Sequence, residues 1–447
     1  MKDRLPMKLT WFACAALLAL ATPAAAEPVL MISVDGLRPL DVIEAEARGI
    51  KVPNLRRLMG QGVYARGVRG SLPTLTRPSH ITLITGTWPA RHGITDNDAF
   101  DPLGQNKTGW YWYSSDIKVP TLWDAVHAAG GVTASISWPA SVGSTSITYN
   151  FPDYPRGHDR ADPRLVAALA ATGANEAVDR GVGFDIGQRV GASPESDIAK
   201  AAFAAAIYAL AKPQFFTIHL GELDEAQHGF GPGAPQAKEA LTRVDAAIGM
   251  LMDAARRVEP DLVVVVASDH GFSEYSQRFN LVRAFAEAGL LTLDPVTHRI
   301  TAWKAAPWGS ASAMVMLADP RDAAVKARTR ALLARLAADP ANGINRVADA
   351  AEIARMGGAP GANFWVDFRI GYVAGGDPAG PMLQPANARG AHGYFPEHPE
   401  MRSSFFAAGP GVPETGDLGE IDQRAIAPTV AKILRVTLPN ADGRPLF

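Results

Sequence analysis

The apolar residues of this 447-residue chain follow two rhythms. Short, continuously apolar runs lie at Pro28–Val34, Val132–Trp138, Phe215–Leu220, Asp261–Ala267 and Ser403–Ala408, which predicts strands buried on both faces. Between them, 3.6-residue spacing predicts helices at Val52–Gly60, Thr121–Ala129, Ala161–Arg180, Asp197–Lys212, Ala234–Val258 and Ala425–Leu434, with an extended piece at Val63–Val68. Strands alternating with helices imply an α/β fold, a mostly parallel sheet with helices on both faces.

One stretch, Ser71–Asn97, breaks this rhythm. A turn containing Pro73 leads to Thr76, placed as the residue before a helix start, then to an amphipathic segment that opens at Pro78 and stops at Gly93. A hydroxyl there sits beside backbone N–H groups without helical partners, a setting that attracts an anion and suits a nucleophile that attacks phosphorus. On its own, the same pattern describes an ordinary capping threonine.

Past Phe272 the pattern loosens. Helices are expected at Asn280–Gly289 and Arg321–Ala338 and strands at Ala311–Leu317 and Phe364–Ile370, so residues 272–390 read as a cap or insertion in the sheet domain. The Gly- and Pro-rich Gly375–Pro385 reads as its return linker.

The first residues carry a different signal. Lys2, Arg4 and Lys8 precede an apolar run from Trp11 to Ala21, and Ala24-Ala25-Ala26 follows, so residues 1–26 read as an export signal cleaved after Ala26. The expected destination is periplasmic or secreted. No later run approaches the roughly 18 apolar residues of a membrane span, so no stable membrane anchor is expected. Cys14, the only cysteine, lies within the signal, which excludes a thiol nucleophile or disulfide in the mature chain. Cleavage would leave 40 basic against 44 acidic residues, a balance that gives no reason to expect a nucleic-acid polymer as partner.

Chemistry gathers where the strands end. Asp35 precedes Gly36, Asp224 and His228 stand four apart, Asp269 and His270 follow the most apolar strand, and His392 lies between Ala391 and Gly393. With Thr76 these are seven oxygen or nitrogen ligands without a thiolate, a set that suits two zinc ions. Each piece alone is commonplace; their joint occurrence and order point to a site. His80 and His92 are assigned structural roles behind Thr76, and His127, His158, His298 and His398 surface or loop roles.

In order, Asp-Gly after the first strand, Thr-x-Pro-x-His, Thr-Gly-x-x-Pro-x-x-His-Gly-Ile, Asp-x-x-x-His, Ser-Asp-His-Gly and Gly-x-His-Gly-Tyr resemble the nucleotide pyrophosphatase/phosphodiesterase family of the alkaline phosphatase superfamily. That resemblance implies an alkaline phosphatase-like fold and two Zn2+, one held by Asp35, Thr76, Asp269 and His270 and the other by Asp224, His228 and His392. It further implies Thr76 as a nucleophile that becomes transiently phosphorylated or nucleotidylated, and Asn97 as donor to a phosphate oxygen. Two positions depart from the nucleotide-hydrolysing members: Arg77 replaces an aromatic residue after the nucleophile, and His219 a tyrosine five residues before Asp224. Arg77 and His219 are therefore candidate substrate contacts, Arg77 by stacking on a base or pairing with an anion. Trp138 is a third, since Ser137–Ser141 resembles the Trp-Pro-Gly-Ser run of the diesterase branch.

At that Ser137–Ser141 run no Lys-x-Arg pair for a dianionic monoester is found, and the Cys/Ser-x-Pro-x-Arg run of sulfatases is missing at Thr76-Arg77-Pro78-Ser79. The expected activity is therefore hydrolysis of a small-molecule phosphate diester or pyrophosphate. The alternatives are a phosphomonoesterase in which Arg77 meets the dianion, and a zinc-binding protein with a dead site.

Overall fold

The computed structural model describes residues 26–106, 109–153, 163 and 196–447. The export signal with Cys14, His158 and the helix expected at Ala161–Arg180 lie outside them, apart from residues 26 and 163. At the centre is an eight-stranded sheet built from β1 (Val29–Val34), β2 (Val63–Tyr64), β3 (Thr133–Ile136), β4 (Tyr149–Phe151), β5 (Phe215–Leu220), β6 (Val263–Ala267), β7 (Phe405–Ala408) and β8 (Gly416–Asp417). Their spatial order is β8-β2-β7-β6-β1-β5-β3-β4, and only β7 runs against the rest.

Alternation along β1 explains why both faces are covered. Leu30, Ile32 and Val34 point into one apolar cluster with helices α2 (Ser196–Ala211) and α4 (Pro235–Val258). Val29 and Met31 point into another, with α1 (Thr76–Thr85) and α5 (Ile426–Ile433). Every residue of β1 and β6 is buried, which is why these strands read as uninterrupted apolar runs rather than alternating ones. Each such Val, Leu or Ile contributes about 1.5–3 kcal/mol of transfer free energy.

The segment around Thr76 differs from the sequence expectation. Thr76 is the first residue of α1, not the cap; Leu75, extended at φ −119°, holds that place and makes no side-chain cap. Pro78 falls in the first turn, where its missing N–H has no helical acceptor to lose. The helix ends at Gly86, and a separate short helix, Pro89–His92, stops at Gly93. Nor is α1 amphipathic: Arg77 through Thr85 are all buried, because the sheet covers one side and α5 the other.

Residues 273–391 leave the large sheet and build three smaller ones, the least of them the pair Leu291–Leu293 and Ile300–Trp303. Ala305–Gly309, Ala313–Leu317, Phe364–Phe368 and Ile344–Asp349 form an antiparallel four-stranded sheet. Gly371–Ala374, Ser273–Phe279 and Leu383–Ala391 form a second of three strands, so the expected linker 375–385 already enters a strand at Leu383. This part has its own apolar cluster, with Phe279, Phe285, Val315, Leu333, Phe364 and Val366 at its centre. A smaller cluster, in which Leu72 meets Trp365, Ile353 and Phe395, fastens it to the loop before Thr76. Among the described residues no helix is long and apolar enough to cross a membrane.

Candidate active site

Three adjacent parallel strands, β6, β1 and β5, deliver the candidate ligands at their carboxyl ends, where α/β sheets open a crevice. Asp35 leaves β1, Asp269 and His270 follow β6, and β5 runs into helix α3 (Glu222–Phe230), whose first and last turns carry Asp224 and His228. His392 arrives from the strand Leu383–Ala391, and Thr76 opens α1. The turn after Asp35 requires glycine: Gly36 has φ +69°, and a Cβ there would stand 2.8 Å from Gln227 Nε2 and 2.9 Å from Phe272 Cδ2.

Hydrogen bonds set the ring orientations. His270 Nδ1 lies 3.1 Å from the Gly271 carbonyl, His392 Nδ1 3.0 Å from the Thr74 carbonyl and His228 Nδ1 3.1 Å from the Gly390 carbonyl. A carbonyl only accepts, so in each ring Nδ1 donates and Nε2 keeps its lone pair. Those lone pairs converge on carboxylates. His270 Nε2 is 3.1 Å from Asp269 Oδ2 and 3.2 Å from Asp35 Oδ1; His392 Nε2 is 3.1 Å from His228 Nε2, with Asp224 Oδ2 3.4 Å from the latter. Asp35 Oδ1, Asp224 Oδ1 and Asp269 Oδ2 are buried without a hydrogen-bond donor among the described residues. Acceptors facing acceptors in a buried site fit a bound cation.

Electrostatics agree. Burial, then the Asp224 charge, pushes Asp35 well above the usual carboxylate range, and burial with the Asp35 charge does the same to Asp269. Burial lowers His270 well below its ordinary value and His392 to about 4, so both rings are neutral, as metal ligands must be. The ligand atoms of Asp35, Asp269 and His270, and those of Asp224, His270 and His392, form two groups each spanning no more than 4.8 Å, with His270 in both. Thr76 Oγ1 stands 3.5 Å from His270 Nε2.

Asn97 approaches from the loop after Gly93. Its Oδ1 accepts from the Arg77 backbone N–H at 2.9 Å, which leaves its Nδ2 without a partner among the described residues. The three proposed substrate contacts are placed differently. Arg77 is fully buried; its guanidinium pairs with Asp153 at 2.9 Å and lies 4.3 and 4.7 Å from the rings of Trp112 and Trp110. It therefore offers no free charge to an anion. His219 turns inward, its Nδ1 3.1 Å from the Ser137 carbonyl and its Nε2 2.9 Å from Asp35 Oδ2, and so forms no platform. Trp138 is fully buried, edge-on to His80 and Trp123, and belongs to the core.

His80 and His92 are buried behind Thr76 as expected. His80 bridges Ser33 Oγ at 2.8 Å and the Thr76 carbonyl at 2.8 Å, and its Nδ1 is also 3.5 Å from Asp269 Oδ2, a contact that sequence spacing gave no sign of. His398 lies in a loop, as expected, and is paired there, its Nε2 2.9 Å from Asp367 Oδ2. Gln423 was also missed; its Nε2 holds the Asp269 carbonyl at 2.9 Å from 154 residues away.

A family model described as type I phosphodiesterase/nucleotide pyrophosphatase matches residues 29–394. Human ectonucleotide pyrophosphatase/phosphodiesterase family member 1 is 26% identical over 262 residues, 56% of this chain and 24% of its own length. A venom phosphodiesterase of Crotalus durissus collilineatus is 27% identical over 277 residues, 59% of this chain and 28% of its own. The chain thus spans about a quarter of the length of the curated relatives it matches. Among solved structures, murine ectonucleotide pyrophosphatase/phosphodiesterase 5 superposes with a TM-score of 0.67 at 20% identity, covering 93% of this chain and 97% of that one. An inactive form of the same murine protein has been solved in complex with AMP.

Proposed function

Because the chain belongs to the type I phosphodiesterase/nucleotide pyrophosphatase family, we propose that it is an exported hydrolase that cleaves phosphate diesters through a covalent intermediate on Thr76. The observation that carries this reading is the approach of Thr76 Oγ1 to a cluster of three carboxylates and three imidazoles facing one another, buried except at Asp224 and His228.

Two zinc ions would be held there, one by Asp35, Thr76, Asp269 and His270, the other by Asp224, His228 and His392; the close grouping of Asp35, Asp269 and His270 and of Asp224, His270 and His392 supports this reading. Bound there, zinc would supply Lewis acidity, lowering the pKa of the threonine hydroxyl and neutralising the phosphate. In the first half-reaction Thr76 Oγ1 forms a bond to phosphorus, the bond from phosphorus to the departing alcohol breaks, and the hydroxyl proton leaves with the alcohol. Asn97 Nδ2 donates to a phosphate oxygen, where charge builds as the new bond forms. In the second half-reaction water attacks phosphorus and returns Thr76 as the hydroxyl. The monoesterase alternative calls for a free cation at Arg77, and the pairing of Arg77 with Asp153 and its burial favour the diesterase reading.

Assay of bis-p-nitrophenyl phosphate on zinc-loaded mature protein tests this. Thr76→Ala is expected to lose at least about 10^3-fold in rate, and acid quenching is expected to trap a phosphorylated Thr76 peptide only in the wild type. Full activity in the variant would overturn the mechanism. N-terminal sequencing of exported protein should find Glu27 first.

A further inference from the structure

Helix α2 contributes Phe203, Ala204 and Ile207 to the apolar cluster under the sheet, yet its first turns also bury two charges. Asp197 is fully buried and Lys200 nearly so, with Lys200 Nζ 2.9 Å from Asp197 Oδ1. Such a pair gives up its hydration on both sides, and apolar side chains of similar volume often hold a fold as well or better. Stability alone therefore does not account for it.

The pair's remaining partners all lie in one turn, where β5 gives way to α3. Lys200 Nζ donates to the His219 carbonyl at 3.3 Å, while Asp197 Oδ1 accepts from the Gly221 N–H at 3.2 Å and Oδ2 from the Glu222 N–H at 2.9 Å. Gly221 has no side chain with which to cap α3, so Asp197 does from a neighbouring helix what a capping residue does within its own. Its charge also faces the positive end of the α3 dipole. From α4, Arg243 pairs with the Glu222 carboxylate. The turn is thus gripped at residues 219, 221 and 222, and the helix it launches carries Asp224 and His228, four apart on one face.

We propose that Asp197 and Lys200 are positioning residues for metal. They fix where α3 begins, and through it the place of Asp224 and His228 opposite His392, so that the ion held by these three depends on a charge pair that does not touch it. A shift of the helix start would carry both ligands with it. This rests on the two-zinc reading above, and its test separates the two.

Zinc titrated into the mature protein in competition with a chromophoric chelator yields two dissociation constants and needs no turnover. Asp197→Asn keeps the shape of the side chain but turns an NH2 toward one of its donors; one constant should rise about 10–100-fold and the other stay within about threefold. The double variant Asp197→Leu/Lys200→Met removes both charges together. It should keep the wild-type urea midpoint in chelator and still show the same one-sided loss of zinc, which a merely structural pair would not. If the double variant does not fold, the two constants of Asp197→Asn decide alone. Unchanged constants in Asp197→Asn or in the folded double variant, or equal weakening of both sites, would overturn the proposal and leave the two-zinc reading standing. A wild type that binds fewer than two zinc ions would overturn both.

Discussion

Replacing Asp269 by asparagine should shift stability in opposite directions with and without metal. Asp269 Oδ1 accepts from the Gly36 N–H at 3.1 Å, while the buried Oδ2 has no donor and faces the lone pair of His270 Nε2 at 3.1 Å. Asparagine keeps the acceptor toward Gly36 and turns an N–H toward His270. Burial and the Asp35 charge hold the Asp269 pKa well above its unfolded value, so at neutral pH the carboxyl costs stability in the metal-free fold whether it stays ionised or takes up a proton. Asparagine removes that cost, about 1–3 kcal/mol for a buried acceptor, and the metal-free variant should gain about 2 kcal/mol. With zinc the sign reverses. Free ion at a thousandfold excess over its Kd stabilises by about 4 kcal/mol, and a hundredfold weaker Kd removes about 2.7 kcal/mol of that. Urea unfolding followed by tryptophan fluorescence, in chelator and in zinc, reads both signs. Equal destabilisation in the two conditions would refute the facing lone pairs and with them the cation site.

Gly36→Ala should cost about 2–4 kcal/mol, from the positive φ and from the Cβ pressed against Gln227 and Phe272, and urea midpoints would show it. A loss below about 0.5 kcal/mol would mean that the turn has another accessible conformation. For His398, burial lowers the pKa, but the hydrogen bond and charge of Asp367, with Glu400 and Glu397, outweigh it and leave the pKa raised. A raised folded value means that its stabilisation is complete below the unfolded pKa, near about 6.5, and fades as pH rises through the folded value. The difference in urea midpoint between wild type and His398→Gln, under about 1 kcal/mol, should therefore shrink from pH 6 to pH 9. A difference that grows with pH would contradict the pairing with Asp367.

The parts legible in the sequence are those governed by local periodicity. Buried strands announce themselves as apolar runs, and a polar residue that follows such a run sits at the strand's carboxyl end, which is why Asp35 and Asp269 could be identified before any fold was known; Asp224 lies farther on, within α3. What could not be read depends on contacts between distant segments. Arg77 looks like a free cation until Asp153, 76 positions away, and the Trp110–Trp112 pair are brought against it. Trp138 looks like a ligand contact until Trp123 and His80 close around it. His398 has no partner in its neighbourhood because Asp367 arrives from a strand 31 positions earlier. Thr76 was displaced by one residue for a local reason: extended Leu75 supplies the non-helical entry that a capping side chain would otherwise mark.

His392 reaches back 318 positions to the Thr74 carbonyl to complete the cluster. A polypeptide is made from its amino terminus, so the hydroxyl, the three acidic side chains and two of the imidazoles all exist before the last one leaves the ribosome. Closing so long a loop carries an entropic cost that only the finished sheet can offset, so assembly of the centre should come late in folding. A product that stops short of residue 392 would hold the reactive threonine yet lack the final imidazole. The full ligand set would thereby exist only in a chain made past residue 392.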